Sequence, residues 1–164
     1  MKAIGRARLA ALALAVVGLD QLTKSIVASS LREGESVRVI GDFLQITHVR
    51  NSGAAFGLLR GFGGLLALAA LVGVIAFFAV LVQNPSPLTG VAAALVGAGA
   101  LGNLIDRLVR GPIGRGTVVD FVDFRFWPSF NVADSAVTIG ALLILWSEFG
   151  HAGAQRRRRQ AGGE

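Results

Sequence analysis

The sequence predicts an all-α polytopic membrane protein of four transmembrane helices, and three observations lead to it. The AVILMFWYC set makes up 53% of the 164 residues, and 22 glycines add about 13% more, against ~45–50% for apolar residues and glycine together in soluble domains. Charged residues make up only 16%, below the ~25% usual in soluble domains, and mean hydropathy is +0.63. Four stretches, roughly 9–31, 62–82, 88–108 and 133–149, are read as long and apolar enough to cross a hydrocarbon core, which needs ~20 helical residues. A chain of this length cannot hide so much apolar surface in a water-soluble core. Helix is the only open-ended way to satisfy a backbone in lipid. Disorder and collagen-like repetition are excluded by the same composition.

The first span follows Lys2, Arg6 and Arg8. Its apolar part, 9–19, is short enough for a secretory signal, but no small-x-small cleavage site follows and three further spans do, so it is read as retained. Asp20, Gln21, Thr23 and Lys24 interrupt it. Beyond it, Ser36–Ile40 and 43–49 have strand content around Gly41-Asp42, a hairpin turn signal. A small-residue loop, Asn51-Ser-Gly-Ala-Ala-Phe56-Gly, precedes the uninterrupted second span. The third span closes with Asn103, Asp106 and Arg107. Gly111-Pro112 and Gly114 then punctuate a β-rich segment, 118–126, before the fourth span. Residues 1–149 are expected to form one membrane domain with outside loops 32–61 and 109–132, and 150–164 a disordered basic tail.

An even number of spans places both termini on one side, and the basic residues at both ends make that side cytoplasmic. The two outside segments, counted with Arg107 at the end of the third span, carry eight arginines against seven basic residues at the termini, so orientation rests on the first helix and the undiluted end clusters. The charge of +6 and pI near 11.4 are therefore assigned to membrane orientation and anionic lipid, with no nucleic-acid partner. Cysteine is absent and histidine occurs twice, at His48 and His151. Thiolate chemistry is excluded, and no metal or other cofactor is expected.

Chemistry is thus left to the acids. Asp20 and Lys24, four apart, share a helix face and can pair structurally. Asn103, Asp106 and Arg107 share another face at a helix end, where an interface tolerates them. Val118-Val-Asp120-Phe-Val-Asp123 precedes Phe130-Asn131-Val-Ala-Asp134-Ser135. The loop between can fold back and pair an acid with Asp134, so that one carboxyl keeps a proton while the other stays basic. That pair can activate water with no metal or thiol. Asn131 and Asp134 also fit a helix-capping box, and spacing does not decide between Asp120 and Asp123, which point to opposite faces of a strand.

Two motifs mislead. Gly97-Ala-Gly99-Ala-Leu-Gly102 spells a dinucleotide fingerprint but lies inside a membrane helix, where close packing along Gly90, Ala94, Ala98 and Gly102 explains it better. Lys24-Ser25 suggests a hydrolytic dyad, but adjacent helical positions diverge by about 100°. A transporter subunit with Asp20, Lys24 and Asp106 along an ion path is the main alternative reading.

Five blocks in order, Asp20-Gln-Leu-Thr-Lys24, Asn51-Ser-Gly-Ala-Ala-Phe56, Gly102-Asn103-Leu-Ile-Asp106-Arg107, Val118-Val-Asp120-Phe121 and Phe130-Asn-Val-Ala-Asp134-Ser, resemble the lipoprotein signal peptidases, or signal peptidase II. The resemblance covers residues 9–149. It implies an aspartic endopeptidase of the bacterial inner membrane that cuts prolipoproteins before a diacylglyceryl-modified cysteine, close to the outer leaflet. It implies four membrane helices with a small extracytoplasmic β-cradle and an interfacial helix from the first loop. By the same resemblance Asp120 and Asp134 are the catalytic pair, with Asp20, Lys24, Asn51, Gly53, Asn103, Asp106, Arg107 and Asn131 in binding or supporting roles. The partners expected are prolipoproteins and membrane lipids, and the chain is expected to act as a monomer.

Overall fold

The computed structural model describes residues 5–53, 63–83, 86–111 and 116–161, with backbone alone at 63–64 and 148–161. Four helices, α1 (Arg6–Ser30), α2 (Gly63–Val82), α3 (Pro87–Val109) and α4 (Val132–Ala161), accompany three strands, β1 (Ser36–Ile40), β2 (Leu44–Asn51) and β3 (Val118–Asp123). Helices over Arg6–Ser30, Leu65–Val82 and Pro87–Val109 are long and apolar enough to cross a membrane, and α4 contributes a shorter apolar stretch, Val132–Ser147. The strands form one antiparallel sheet in the order β1-β2-β3.

Helix α3 packs against all three other helices, and its sequence shows why it can. Ser86 caps it, accepting from the Thr89 N–H at 3.2 Å, with Pro87 in the first turn. Along its length, glycine opens a different side to each neighbour. A Cβ on Gly97 would strike the Phe77 side chain of α2. On Gly99 it would strike the Ala133 carbonyl oxygen of α4, and on Gly102 it would come within 2.6 Å of an Asp20 carboxylate oxygen of α1. The three glycines of the false dinucleotide fingerprint are thus three points of close helix approach. Ala94 and Ala98 extend that surface into an apolar cluster with Ala13 and Phe77.

The two ends of the bundle differ. At one end the Arg6 guanidinium donates to the Val82 carbonyl at the end of α2 (3.0 Å). At the other, the sheet sits over the end of α1 through a second cluster, Val27, Val119 and Phe121 with Leu31, Ile46, Val122 and Val132. The β1–β2 turn falls where Gly41-Asp42 predicts it: Gly41 has φ +48°, a value that suits glycine, and the Phe43 N–H donates to the Ile40 carbonyl.

Three expectations need correction or fall outside the description. β3 ends at Asp123, short of Phe126, because the Asp123 carboxylate accepts the Arg125 N–H at 2.8 Å and Arg125 turns to φ +65°. The tail expected to be disordered continues α4 as helix through Ala161, as its alanine, glutamine and arginine residues allow. The interfacial helix expected from the first loop is not found among its described residues, 32–53, and Phe56 lies outside the described residues.

Overpacking a tight helix contact costs ~1–3 kcal/mol. Gly99→Leu is therefore expected to lower the thermal unfolding midpoint of the detergent-solubilised protein clearly. Gly18→Ala, where a Cβ meets nothing within 4 Å, is expected to leave it unchanged or slightly raised. Equal midpoints for wild type and Gly99→Leu would contradict the packing role given to α3.

Candidate active site

A cavity of ≈ 820 Å³ opens at the sheet end of the bundle, and Asp120 and Asp134 both line it. Asp120 comes from β3 and Asp134 from the first turn of α4. Strand alternation sends the two rival acids to different sides of β3. Asp120 turns to the cavity, and Asp123 turns away, accepting from the Thr47 hydroxyl at 3.1 Å and from the Arg125 N–H.

Three asparagine amides hold the two acids. Asn51 Nδ2 donates to Asp120 Oδ2 at 2.8 Å, and the Gly53 N–H fixes that amide by donating to Asn51 Oδ1 at 2.9 Å. Asn131 Nδ2 donates to Asp120 Oδ1 at 2.6 Å, while its own Oδ1 accepts the Asp134 N–H at 2.9 Å. The Asn131 N–H reaches back to Asp134 Oδ2 at 3.3 Å. The capping box read in the sequence is therefore present, and it is what ties one acid to the other. Asn103 Nδ2 donates to Asp134 Oδ1 at 2.8 Å. In each amide the oxygen accepts another donor, so the nitrogen is the end that faces the carboxylate.

Behind the amides lies a buried ion cluster. Lys24 Nζ meets Asp20 Oδ2 at 2.8 Å, Asp106 Oδ2 at 3.1 Å and Asn103 Oδ1 at 3.0 Å. All three charged side chains are 0% exposed. The Asp20–Lys24 pair expected from spacing exists, but it is one edge of a larger group. Each acid of the cluster also grips a backbone N–H: Asp20 Oδ1 accepts from Ala133 at 2.9 Å, and Asp106 Oδ2 from Val119 at 3.1 Å. Those are the residues immediately before Asp134 and Asp120. With Arg110 at 2.9 Å from Asp106, two cations face two carboxylates, and the cluster acts as a clamp on both site segments.

The expectation that Asp106 and Arg107 sit as tolerated interfacial charges is corrected, since both are buried. They also diverge: Asp106 turns to Lys24 and to Arg110, 2.9 Å away, while Arg107 lines the cavity. Arg107 Nη1 donates to the Asn103 carbonyl at 3.2 Å, and its buried Nε has no hydrogen-bond partner among the described residues. Its charge acts on both site acids.

Sequence reading missed two members. Gln21 Nε2 donates to the Gly102 carbonyl at 3.0 Å and lies within 3.3 Å of oxygens of both Asp20 and Asp106, which only the α1–α3 packing reveals. Arg110 was legible, four residues after Asp106. The apolar part of the cavity, with Ala69, Gly73, Ala100 and Val137, belongs to α2, α3 and α4 together, and no short motif marks it.

Electrostatics distinguish Asp120. Burial first, and then the charge of Asp134, push its carboxyl up to about 7, against the pull of the Asn51 and Asn131 amides. A carboxyl in that range keeps its proton at mildly acidic pH, as an acid–base pair requires. Among the described residues no group of three or more His, Cys, Asp or Glu side chains has metal-site geometry.

Comparison with known proteins gives one family and one fold. The family described as Signal peptidase (SPase) II matches residues 12–150. The lipoprotein signal peptidase of Moorella thermoacetica is 43% identical over 150 residues, spanning 89% of this chain and 95% of the relative. That of Halothermothrix orenii is 42% identical over 140 residues, spanning 82% and 92%. A bacterial membrane enzyme solved by the in meso method at 2.3 Å superposes with a TM-score of 0.80 at 37% identity, over 89% of this chain and 90% of that one. A family match across most of the chain, relatives above 40% identity and a shared fold agree: the chain belongs to the signal peptidase II family.

Proposed function

We propose that this protein is a membrane aspartic endopeptidase that removes signal peptides from lipoproteins, with Asp120 and Asp134 as its catalytic pair. The single observation that carries the reading is two carboxyls on one cavity, Asp120 buried and Asp134 half-buried, held by three amides and linked through Asn131. Family membership supports the substrate class.

In the reaction proposed, the ionised carboxylate takes a proton from water, and the oxygen adds to the scissile carbonyl carbon. The protonated carboxyl gives its proton to the carbonyl oxygen, forming a neutral gem-diol. Collapse breaks the C–N bond, with one proton passing to the leaving nitrogen and one returning to the pair. Asn51, Asn103 and Asn131 hold the carboxyls in position, and Arg107 faces the cavity as a donor for a substrate carbonyl. The cut proposed is before a diacylglyceryl-modified cysteine, a position that the resemblance implies. In this reading α4 makes the fourth membrane crossing, both termini are cytoplasmic, the cavity lies near the outer leaflet and the chain works as a monomer. An apolar cavity wall formed by α2, α3 and α4 suits a substrate that stays partly in lipid.

A general acid–base group contributes ~10²–10⁴-fold to rate. Asp120→Asn and Asp134→Asn are each expected to lower turnover of a lipid-modified precursor at least ~100-fold while still inserting in the membrane. Asp123→Asn is expected to keep most activity. Near wild-type processing by either of the first two variants sinks the assignment, and loss in the third reassigns the pair.

The raised carboxyl of Asp120 also fixes the sign of the pH dependence. The active form carries one proton on the pair, so activity falls in acid as both carboxyls protonate. It falls again as pH rises through about 7, where Asp120 loses its proton. Initial rates across pH 4–9 in a detergent-stable preparation, roughly the window that a one-proton acid–base pair spans, check this. A rate still climbing above pH 8 contradicts it.

A further inference from the structure

The sheet carries a surface that the hydrolytic site does not use. Val37, Ile46 and Val122 are cross-strand partners and so form one row across the sheet. The two inner members pack into the cluster with Val27 and Leu31 at the end of α1. The outer one, Val37, is more than half exposed, because β1 runs out beyond the helices. The face that rests on a membrane helix therefore continues sideways with no protein among the described residues covering its edge.

That edge carries several exposed apolar side chains. Val39, Ile40 and Phe43 are each more than half exposed, as are Phe126 (72%) and Trp127 (58%). Phe43 joins the turn after β3 through ring contacts to Phe124 at 5.4 Å and Phe126 at 5.8 Å. Phe124 in turn stacks on Phe130 at 6.0 Å. Phe130 and Trp127 line the cavity, so a chain of aromatic contacts runs from the β1–β2 turn to the site. Arg38, 72% exposed, and Arg125 are interleaved with it.

We infer that this edge is a lipid-contacting ledge, seated in the headgroup–acyl boundary of the leaflet at the sheet end of the bundle. Its continuity with the lipid-facing helix surface selects this occupant, and the chemistry fits: aromatic rings prefer the boundary, and arginines reach headgroup phosphates. An apolar surface of this kind facing water would be unusual. The ledge fixes the depth at which the cavity mouth meets the membrane. The inference rests on membrane embedding and not on the proposed hydrolysis.

The chain has two tryptophans, so Trp146→Phe leaves Trp127 as sole reporter. Trp146 is largely exposed on α4, and its replacement is conservative. The full-length variant in vesicles of phosphatidylcholine and phosphatidylglycerol is expected to show blue-shifted emission. It should be quenched several-fold more by lipids brominated near the headgroup end of the chain than by aqueous iodide. Phe43→Asp with Phe126→Asp is expected to shift quenching towards iodide. Strong iodide quenching with none from brominated lipid overturns the inference, as does protection from both that depends on protein density, which marks a second copy as the occupant. Neither readout requires the peptidase to be active.

Discussion

The site depends on one buried cation. The Lys24 ammonium is shared by Asp20, Asp106 and Asn103, and each of those partners then holds something at the site. Asp20 holds the backbone before Asp134, Asp106 the backbone before Asp120, and Asn103 the Asp134 carboxylate itself. Buried ion groups are poor sources of net stability, because desolvation consumes most of the attraction, yet removing one partner costs ~3–5 kcal/mol. A cluster of this kind is better understood as fixing geometry than as stabilising the fold. Without the ammonium, two carboxylates would face each other in a region from which water is excluded, and their grip on both site segments would loosen.

That arrangement is possible only because α3 is thin. Gly102 leaves the space in which Asp20 lies, and Gly99 lets the start of α4 close on α3 at Ala133, the residue that Asp20 caps. Packing and electrostatics are one constraint here: a methyl group on either glycine displaces the elements that carry the acids. The bundle sets the helix positions to within a van der Waals contact, and the amides then set the carboxyls to within a hydrogen bond. Reacting groups placed this closely are what gives positioning its large share of catalysis.

Much of this was legible in the residues. Hydropathy located all four helices, Gly41-Asp42 the hairpin, and Asn131 with Asp134 the capping box. Strand alternation separated Asp120 from Asp123 once β3 was known to be a strand, but sequence spacing alone left the choice open. What stayed hidden was long-range. Nothing local says that Asp20, Lys24 and Asp106 share one cluster, because α1 and α3 lie some eighty residues apart in the chain, as the Lys24–Asn103 bond shows. The same distance concealed Gln21, and it made Asp106 and Arg107 look like ordinary helix-end charges. Continued helix in the tail was missed, since residues 150–164 were read as disordered and α4 runs through Ala161. The outer edge of the sheet was seen as strand, but its apolar face was not seen as a surface.

The central claim is that this braced pair of acids hydrolyses a lipid-anchored precursor. The most direct measurement is incubation of the purified full-length protein with a diacylglyceryl-modified lipoprotein precursor and, in parallel, with the same precursor unmodified, reading the released signal peptide and the new N-terminus by mass spectrometry. Cleavage of the modified precursor immediately before the lipid-bearing cysteine, with the unmodified one left intact, is the result predicted. No cleavage of either, or equal cleavage of both, would contradict it.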